Sequence, residues 1–113
     1  MKTKQWGWML AAASVAVSVH AHAAVDAGKA MALANKNACM GCHAVSRKLV
    51  GPSYNDVTAR YKNDPAAVPK LTAKVLKGGA GVWGMIPMPS HPGLSQADAQ
   101  TMVEWIMAGS PPK

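Results

Sequence analysis

The two cysteines of the chain stand three residues apart, with a histidine directly behind the second. This stretch reads Cys-Met-Gly-Cys-His and contains Cys39, Cys42 and His43. Three chemistries use thiols and an imidazole at such close spacing: a redox disulfide, a zinc site and covalent haem attachment. The surrounding sequence distinguishes among the three.

The disulfide and zinc interpretations fit this chain poorly. A redox Cys-x-x-Cys pair normally opens a helix in a βαβ setting, and the sequence shows no strand alternation. A structural zinc ion takes four Cys or His ligands, and residues 24–113 offer only Cys39, Cys42, His43 and His91. The adjacent Cys42 and His43 would also be hard to arrange around one tetrahedral ion.

The haem interpretation explains the spacing, because Cys-x-x-Cys-His is the attachment motif of c-type haem. Two cysteines three apart lie about one helical turn apart, so both sulfurs reach the vinyl groups on one porphyrin edge. The following residue then turns its imidazole towards the iron. We therefore predict one haem c, bound covalently through Cys39 and Cys42, with His43 as an iron ligand.

An export segment precedes the motif. A basic start and a mostly apolar run over residues 6–19 lead to Ala21-His22-Ala23, which fits the small-x-small cleavage pattern. The run is shorter than the roughly 18–20 residues that span a bilayer. We expect a signal peptide over residues 1–23 and one domain over residues 24–113, located in the oxidising periplasm.

Composition narrows the class of partner. Cleavage lowers the net formal charge from +7 to +5, and a basic surface suits nucleic acid, anionic lipid or an acidic protein. Export argues against nucleic acid, and scattered charges argue against lipid. A domain this small and without phenylalanine has a small hydrophobic core and needs further stabilisation, which favours a bound cofactor. We expect acidic redox proteins as partners and no stable membrane insertion.

Helical periodicity predicts four helices. Asp26, Ser53 and Ser95 are the predicted N-caps of the first, second and last helices, and the third covers residues 66–77. In the third helix, Lys70, Lys74 and Lys77 are expected on the face that points away from the core. The residues expected to face the core are Ala27, Ala30, Met31, Ala34 and Ala38 in the first helix, Val68, Leu71 and Val75 in the third, and Ala99, Met102, Val103, Ile106 and Met107 in the last.

A long apolar loop over residues 78–94 supplies the candidates for a second iron ligand. A loop of this length in a small domain is functional or disordered, and its apolar side chains indicate that it packs on a large apolar group. Met88 lies between two prolines, which give the segment rigidity without regular structure and hold the thioether at a fixed point. Met85 and His91 are the competing candidates.

The segments CMGCH, VGPSYNDV, GVWGMIPMP and MVEWIM together resemble the small bacterial class I cytochromes c of the cytochrome c-551 type. The resemblance covers nearly all of residues 24–113, with the segments in the same order. It implies an all-α class I cytochrome c fold, with about four helices wrapped around one covalent haem c. It also implies one-electron transfer in the periplasm.

The resemblance carries roles onto individual residues. It implies that Cys39 and Cys42 are the thioether anchors and that His43 and Met88 are the axial ligands. It implies that the carbonyl of Pro52 accepts a hydrogen bond from the other nitrogen of the proximal imidazole. It also implies that the Trp83 indole reaches a haem propionate and that Lys74 lies near a propionate. The chain departs from the pattern at His91, where a small polar amide is often found.

These observations predict an electron-transfer protein and not an enzyme. We expect a monomeric monohaem carrier between respiratory redox partners, such as a reductase or a terminal oxidase. Two alternatives stay open. The chain could be the haem-containing electron-transfer subunit of a larger oxidoreductase, or a weak peroxidase if the Met88 ligand is labile.

Overall fold

Four α-helices form the architecture of the computed structural model, which describes residues 13–16 and 24–112. The elements are α1 (Ala27–Lys36), a 3-10 turn at the cysteine motif (Cys39–Gly41), α2 (Tyr54–Tyr61), α3 (Ala67–Lys77) and α4 (Gln96–Met107). Within the described residues, strand pairing is limited to an isolated antiparallel bridge between Gly79 and Met88. The predicted all-α fold is confirmed.

Most of the predicted signal peptide, residues 1–23, lies outside the described residues, so its cleavage stays a prediction. None of the helices in the described part of the chain is both long enough and apolar enough to cross a membrane.

Side-chain caps fix where three of the helices begin. Asp26 Oδ1 accepts a hydrogen bond from the backbone N–H of Lys29 at 2.9 Å. In the same way, Ser53 Oγ accepts from the backbone N–H of Asp56 at 3.0 Å, and Ser95 Oγ accepts from the backbone N–H of Asp98 at 3.1 Å. Each bond satisfies an N–H that has no partner inside its own helix. The predicted starts of α1, α2 and α4 are therefore confirmed.

Ala38 corrects the predicted inward stripe of α1. Ala30 and Ala34 are buried as predicted, but Ala38 lies beyond the helix, is exposed and has a φ of +56°. Ala38 connects the end of α1 to the cysteine turn and has a left-handed backbone conformation. That conformation places the Ala38 side chain in solvent, although its spacing matches the stripe.

Replacing Ala38 with glycine is expected to raise the free energy of unfolding by about 1 kcal/mol, because glycine adopts a positive φ without the steric cost of a Cβ. Chemical denaturation of the holoprotein measures this change. The matched control is Ala32→Gly at an exposed site inside α1, where glycine should lower stability by about 1 kcal/mol. Equal losses at both sites would contradict the left-handed assignment.

Helix α4 forms the centre of the core and packs against each of the other three helices. Its predicted stripe is confirmed for Ala99, Met102, Val103 and Ile106, which are buried, whereas Met107 is half-buried. Trp105 was not predicted in this stripe, yet it is also buried. Its indole N–H donates to the carbonyl oxygen of Pro111 at 2.9 Å, so the C-terminal segment folds back on the helix.

Helix α3 differs most from the prediction. Its buried residues are Ala67 and Thr72, whereas the three predicted inward residues Val68, Leu71 and Val75 are only half-buried. Lys74, predicted opposite them with Lys70 and Lys77, instead lines a cavity that Leu71 and Val75 also line. Helix α3 packs on α4 along one side and borders this cavity along another, so a single inward face does not describe it.

Candidate functional site

An open cavity of about 320 Å³ lies between the cysteine motif, α3, α4 and the loop over residues 79–89. Both cysteines, His43 and Met88 line it together with mainly apolar side chains. The fold thus brings the sequence-predicted anchors and iron ligands to one cavity. His91, the alternative ligand, is not among the lining residues.

The cysteine turn presents both thiols to the cavity. The N–H groups of Cys42 and His43 donate to the carbonyl oxygen of Cys39, at 3.1 and 2.9 Å. Cys39 and Cys42 form no disulfide and are half-buried, and burial raises the pKa of the Cys39 thiol. No group of three or more His, Cys, Asp or Glu side chains in the described residues is arranged to hold a metal ion.

Contacts on two sides fix the His43 imidazole. Its Nδ1 lies 2.7 Å from the carbonyl oxygen of Pro52. Because a carbonyl only accepts, Nδ1 carries the hydrogen and Nε2 keeps a lone pair for a metal. A Cβ at Gly51 would lie 2.6 Å from His43 Cε1, so glycine is required where the backbone passes the ring.

Tyr54 supports the same imidazole from its face. The rings of Tyr54 and His43 stack with centroids 5.4 Å apart and planes 22° apart, and Trp105 meets Tyr54 edge-on at 5.7 Å. Tyr54 is buried, and burial raises the pKa of its phenol, which stays neutral at physiological pH. Sequence reasoning did not assign this contact. The available indication was that Tyr54 begins α2 two residues after Pro52.

Backbone hydrogen bonds hold Met88 on the loop side of the cavity. Met88 N–H donates to Gly79 O at 2.9 Å, and Gly79 N–H donates to Met88 O at 3.0 Å. Gly78 has a φ of +69°, and a Cβ there would collide with Met88 O and lie 2.8 Å from Ser90 N. The end of α3 and the Met88 segment therefore approach closely only because residue 78 has no side chain.

The rest of the loop supplies apolar surface to the cavity. Met85 and Ile86 line it, yet they are 90% and 68% exposed. Trp83 also lines it, and the Arg60 guanidinium lies 4.9 Å from the centre of its ring, a cation–π contact between the loop and α2. These side chains leave an apolar wall that a flat apolar group would cover.

The side chains along the cavity wall that carry a full charge are cationic. Lys48 and Lys74 line the wall, and its described lining contains no carboxylate. Lys70, on the outer face of α3, instead pairs with Asp64 at 2.7 Å. A group that carries carboxylates of its own would meet cations and no repelling anion.

The donor set and the wall together fit haem c. Two thiols three residues apart face the cavity beside an imidazole with a free Nε2, a thioether lies on its loop side, and the remaining wall is apolar. These are the groups that covalent attachment and axial ligation of a haem require.

Comparison with known proteins supports this assignment. The family model Cytochrome c matches residues 25–110. Cytochrome c-551 of Allochromatium vinosum is 46% identical over 77 residues, covering 68% of this chain and 82% of its own. Cytochrome c-552 of Nitrosomonas europaea is 40% identical over 107 residues, covering 95% of this chain and 97% of its own.

Solved structures agree with the sequence comparison. The crystal structure of wild-type Nitrosomonas europaea cytochrome c552 aligns with a TM-score of 0.67 at 42% identity, over 70% of this chain and 98% of that one. The class 1 cytochrome MtoD from Sideroxydans lithotrophicus aligns with a TM-score of 0.69 at 29% identity, over 78% and 100%. The chain therefore belongs to the cytochrome c family, as a small class I member with one covalently attached haem c that serves as an electron carrier.

Proposed function

We propose that this cytochrome carries single electrons between periplasmic redox proteins through a haem iron ligated by His43 and Met88. One observation carries the proposal: His43 and Met88 line the same cavity, where the Pro52 carbonyl holds the His43 imidazole and backbone bonds to Gly79 hold Met88. When bound, the haem supplies a one-electron Fe(III)/Fe(II) couple.

The cysteine side of the cavity anchors the haem and presents the first ligand. Cys39 and Cys42 would hold the haem through thioether bonds, and His43 would offer Nε2 to its iron. The Pro52 carbonyl accepts the Nδ1 hydrogen, which fixes the tautomer and makes Nε2 a better donor. Gly51 and Tyr54 restrict rotation of the ring from its edge and its face.

Met88 supplies the second ligand and sets the redox preference. A soft thioether favours Fe(II), so we expect a positive reduction potential. The Gly79 hydrogen bonds and the flanking prolines keep Met88 in place, so that its thioether would compete effectively with other ligands for the iron. This restraint favours a carrier over the weak peroxidase that a labile Met88 would produce.

Charges around the cavity fit both the cofactor and its partners. Lys74, Lys48 and the Trp83 indole are proposed to meet the haem propionates, because they line the cavity without a competing carboxylate. The basic surface would steer acidic redox partners into brief encounters. The periplasmic location rests on the export pattern of residues 1–23, with cleavage proposed after Ala23.

A redox titration of the exported holoprotein tests the carrier proposal. We expect a reversible one-electron transition at positive potential, with negligible peroxide turnover and no carbon monoxide binding to the reduced form near neutral pH. Rapid peroxide turnover or ready carbon monoxide binding would favour the peroxidase alternative instead.

Size-exclusion chromatography of a native periplasmic extract distinguishes a free carrier from a subunit of a larger enzyme. Elution as a monomer fits a shuttle, and elution with a larger oxidoreductase fits a dedicated subunit.

A further inference from the structure

His91 joins the Met88 segment to the end of α3 through two hydrogen bonds. Its backbone N–H donates to Leu76 O at 3.0 Å, and its Nδ1 lies 3.1 Å from Val75 O. Because a carbonyl only accepts, Nδ1 carries the hydrogen. The His91 imidazole is half-buried and is not among the residues that line the haem cavity.

These bonds satisfy carbonyl groups that α3 cannot satisfy alone. The last four carbonyls of a helix have no partner within it. Lys74 O accepts from Gly78 N–H at 2.7 Å, and His91 supplies the donors for Val75 O and Leu76 O. The imidazole N–H also lies at the negative end of the α3 dipole, where a donor is favoured. His91 thus completes the C-terminal end of α3 from the loop.

The connection from His91 to Met88 is short and stiff. Pro89 and Ser90 lie between them, and Pro89 has a fixed φ. At the other end of the same segment, Met88 is bonded to Gly79 just beyond α3. The segment is therefore attached to the end of α3 at both ends, and release at His91 would loosen the restraint on Met88.

We infer that His91 is a positioning residue for the Met88 ligand, acting through its Nδ1–H bond to the α3 carbonyl of Val75. The inference rests on the proposed function, in which Met88 ligates the iron. The His91 backbone bond survives any substitution that keeps the fold, so the side-chain bond can be removed by itself. Leucine resembles histidine in size but has no donor, and asparagine places an N–H at the same covalent distance from the backbone.

The test measures imidazole binding to the ferric holoprotein, because added imidazole competes with Met88 for the iron. We expect His91→Leu to bind imidazole about two- to tenfold more tightly than wild type, the change that the loss of one hydrogen bond would produce. We expect His91→Asn to remain within about twofold of wild type. Ser95→Ala is the matched control, since it removes a cap of α4 and leaves the His91 contact in place.

Failure of this inference and failure of the proposed function would give different results. Wild-type affinity in His91→Leu, or equal effects of His91→Leu and His91→Asn, would overturn the role of the Nδ1–H bond. An equal increase in Ser95→Ala would show that general destabilisation, and not positioning, is responsible. The proposed function fails separately, if the ferric wild-type protein lacks the far-red sulfur-to-iron absorption band or if Met88→Leu keeps it.

Discussion

Replacing Gly78 with alanine is expected to displace Met88 from its proposed position as an iron ligand and to lower the free energy of unfolding by about 2–4 kcal/mol. The new Cβ would collide with Met88 O and crowd Ser90 N, and residue 78 would also be strained at its φ of +69°. Relief of the collision requires the Met88 segment to move away from α3. That movement would break the Gly79–Met88 hydrogen bonds that hold the proposed ligand in place.

The Gly78→Ala prediction is checked by the far-red absorption of the ferric holoprotein, the reduction potential and chemical denaturation. We expect the sulfur-to-iron band to weaken strongly and the potential to fall. Gly81→Ala is the matched control, because Gly81 has a φ of +110° but no atom within 4 Å of an added Cβ. If both variants kept the band, the close approach at Gly78 would not be what positions Met88.

Removal of the Tyr54 ring is expected to have the second large effect on stability and reduction potential. Tyr54→Ala is expected to lower the free energy of unfolding by about 3–5 kcal/mol, because it leaves a cavity between the imidazole of His43 and the indole of Trp105. The loss of the stacking partner also frees one face of His43. We therefore expect the reduction potential to shift as well as the stability.

Tyr54→Phe separates ring packing from the hydroxyl. It keeps the stack on His43 and the edge contact with Trp105, so we expect a change of less than about 1 kcal/mol and a potential close to that of wild type. Chemical denaturation and a redox titration of both holoproteins provide the comparison. A Tyr54→Phe variant as unstable as Tyr54→Ala would show that the hydroxyl, and not the ring, supports the site.

Local patterns in the sequence were sufficient for much of the fold. Asp26, Ser53 and Ser95 each precede a run of helical periodicity, and a capping side chain acts within three residues of its own position. The stripe of α4 is also a local pattern, and its central residues are buried. The motif around Cys39 likewise sufficed to predict the cofactor, because haem attachment needs its groups at fixed short spacing.

Such local patterns could not predict the contacts between segments that are distant in sequence. The stacking of Tyr54 on His43 and the His91 contact with α3 join different parts of the chain, and periodicity within one helix carries no information about them. Ala38 shows the opposite limitation, because its spacing fits a helix that has already ended. The helical pattern alone placed Lys74 on the outer face of α3, because a cavity beside the helix has no signature in that pattern. The family resemblance was what placed Lys74 near a propionate.

The ferric absorption spectrum of the exported holoprotein, recorded for wild type, Met88→Leu and Met85→Leu, tests the central claim most directly. Met85 is the matched control, because it lines the same cavity two residues before the proline that precedes Met88. We predict a weak far-red sulfur-to-iron band in wild type and in Met85→Leu, and its loss in Met88→Leu. Absence of the band in wild type, or its survival in Met88→Leu, would contradict His43/Met88 ligation.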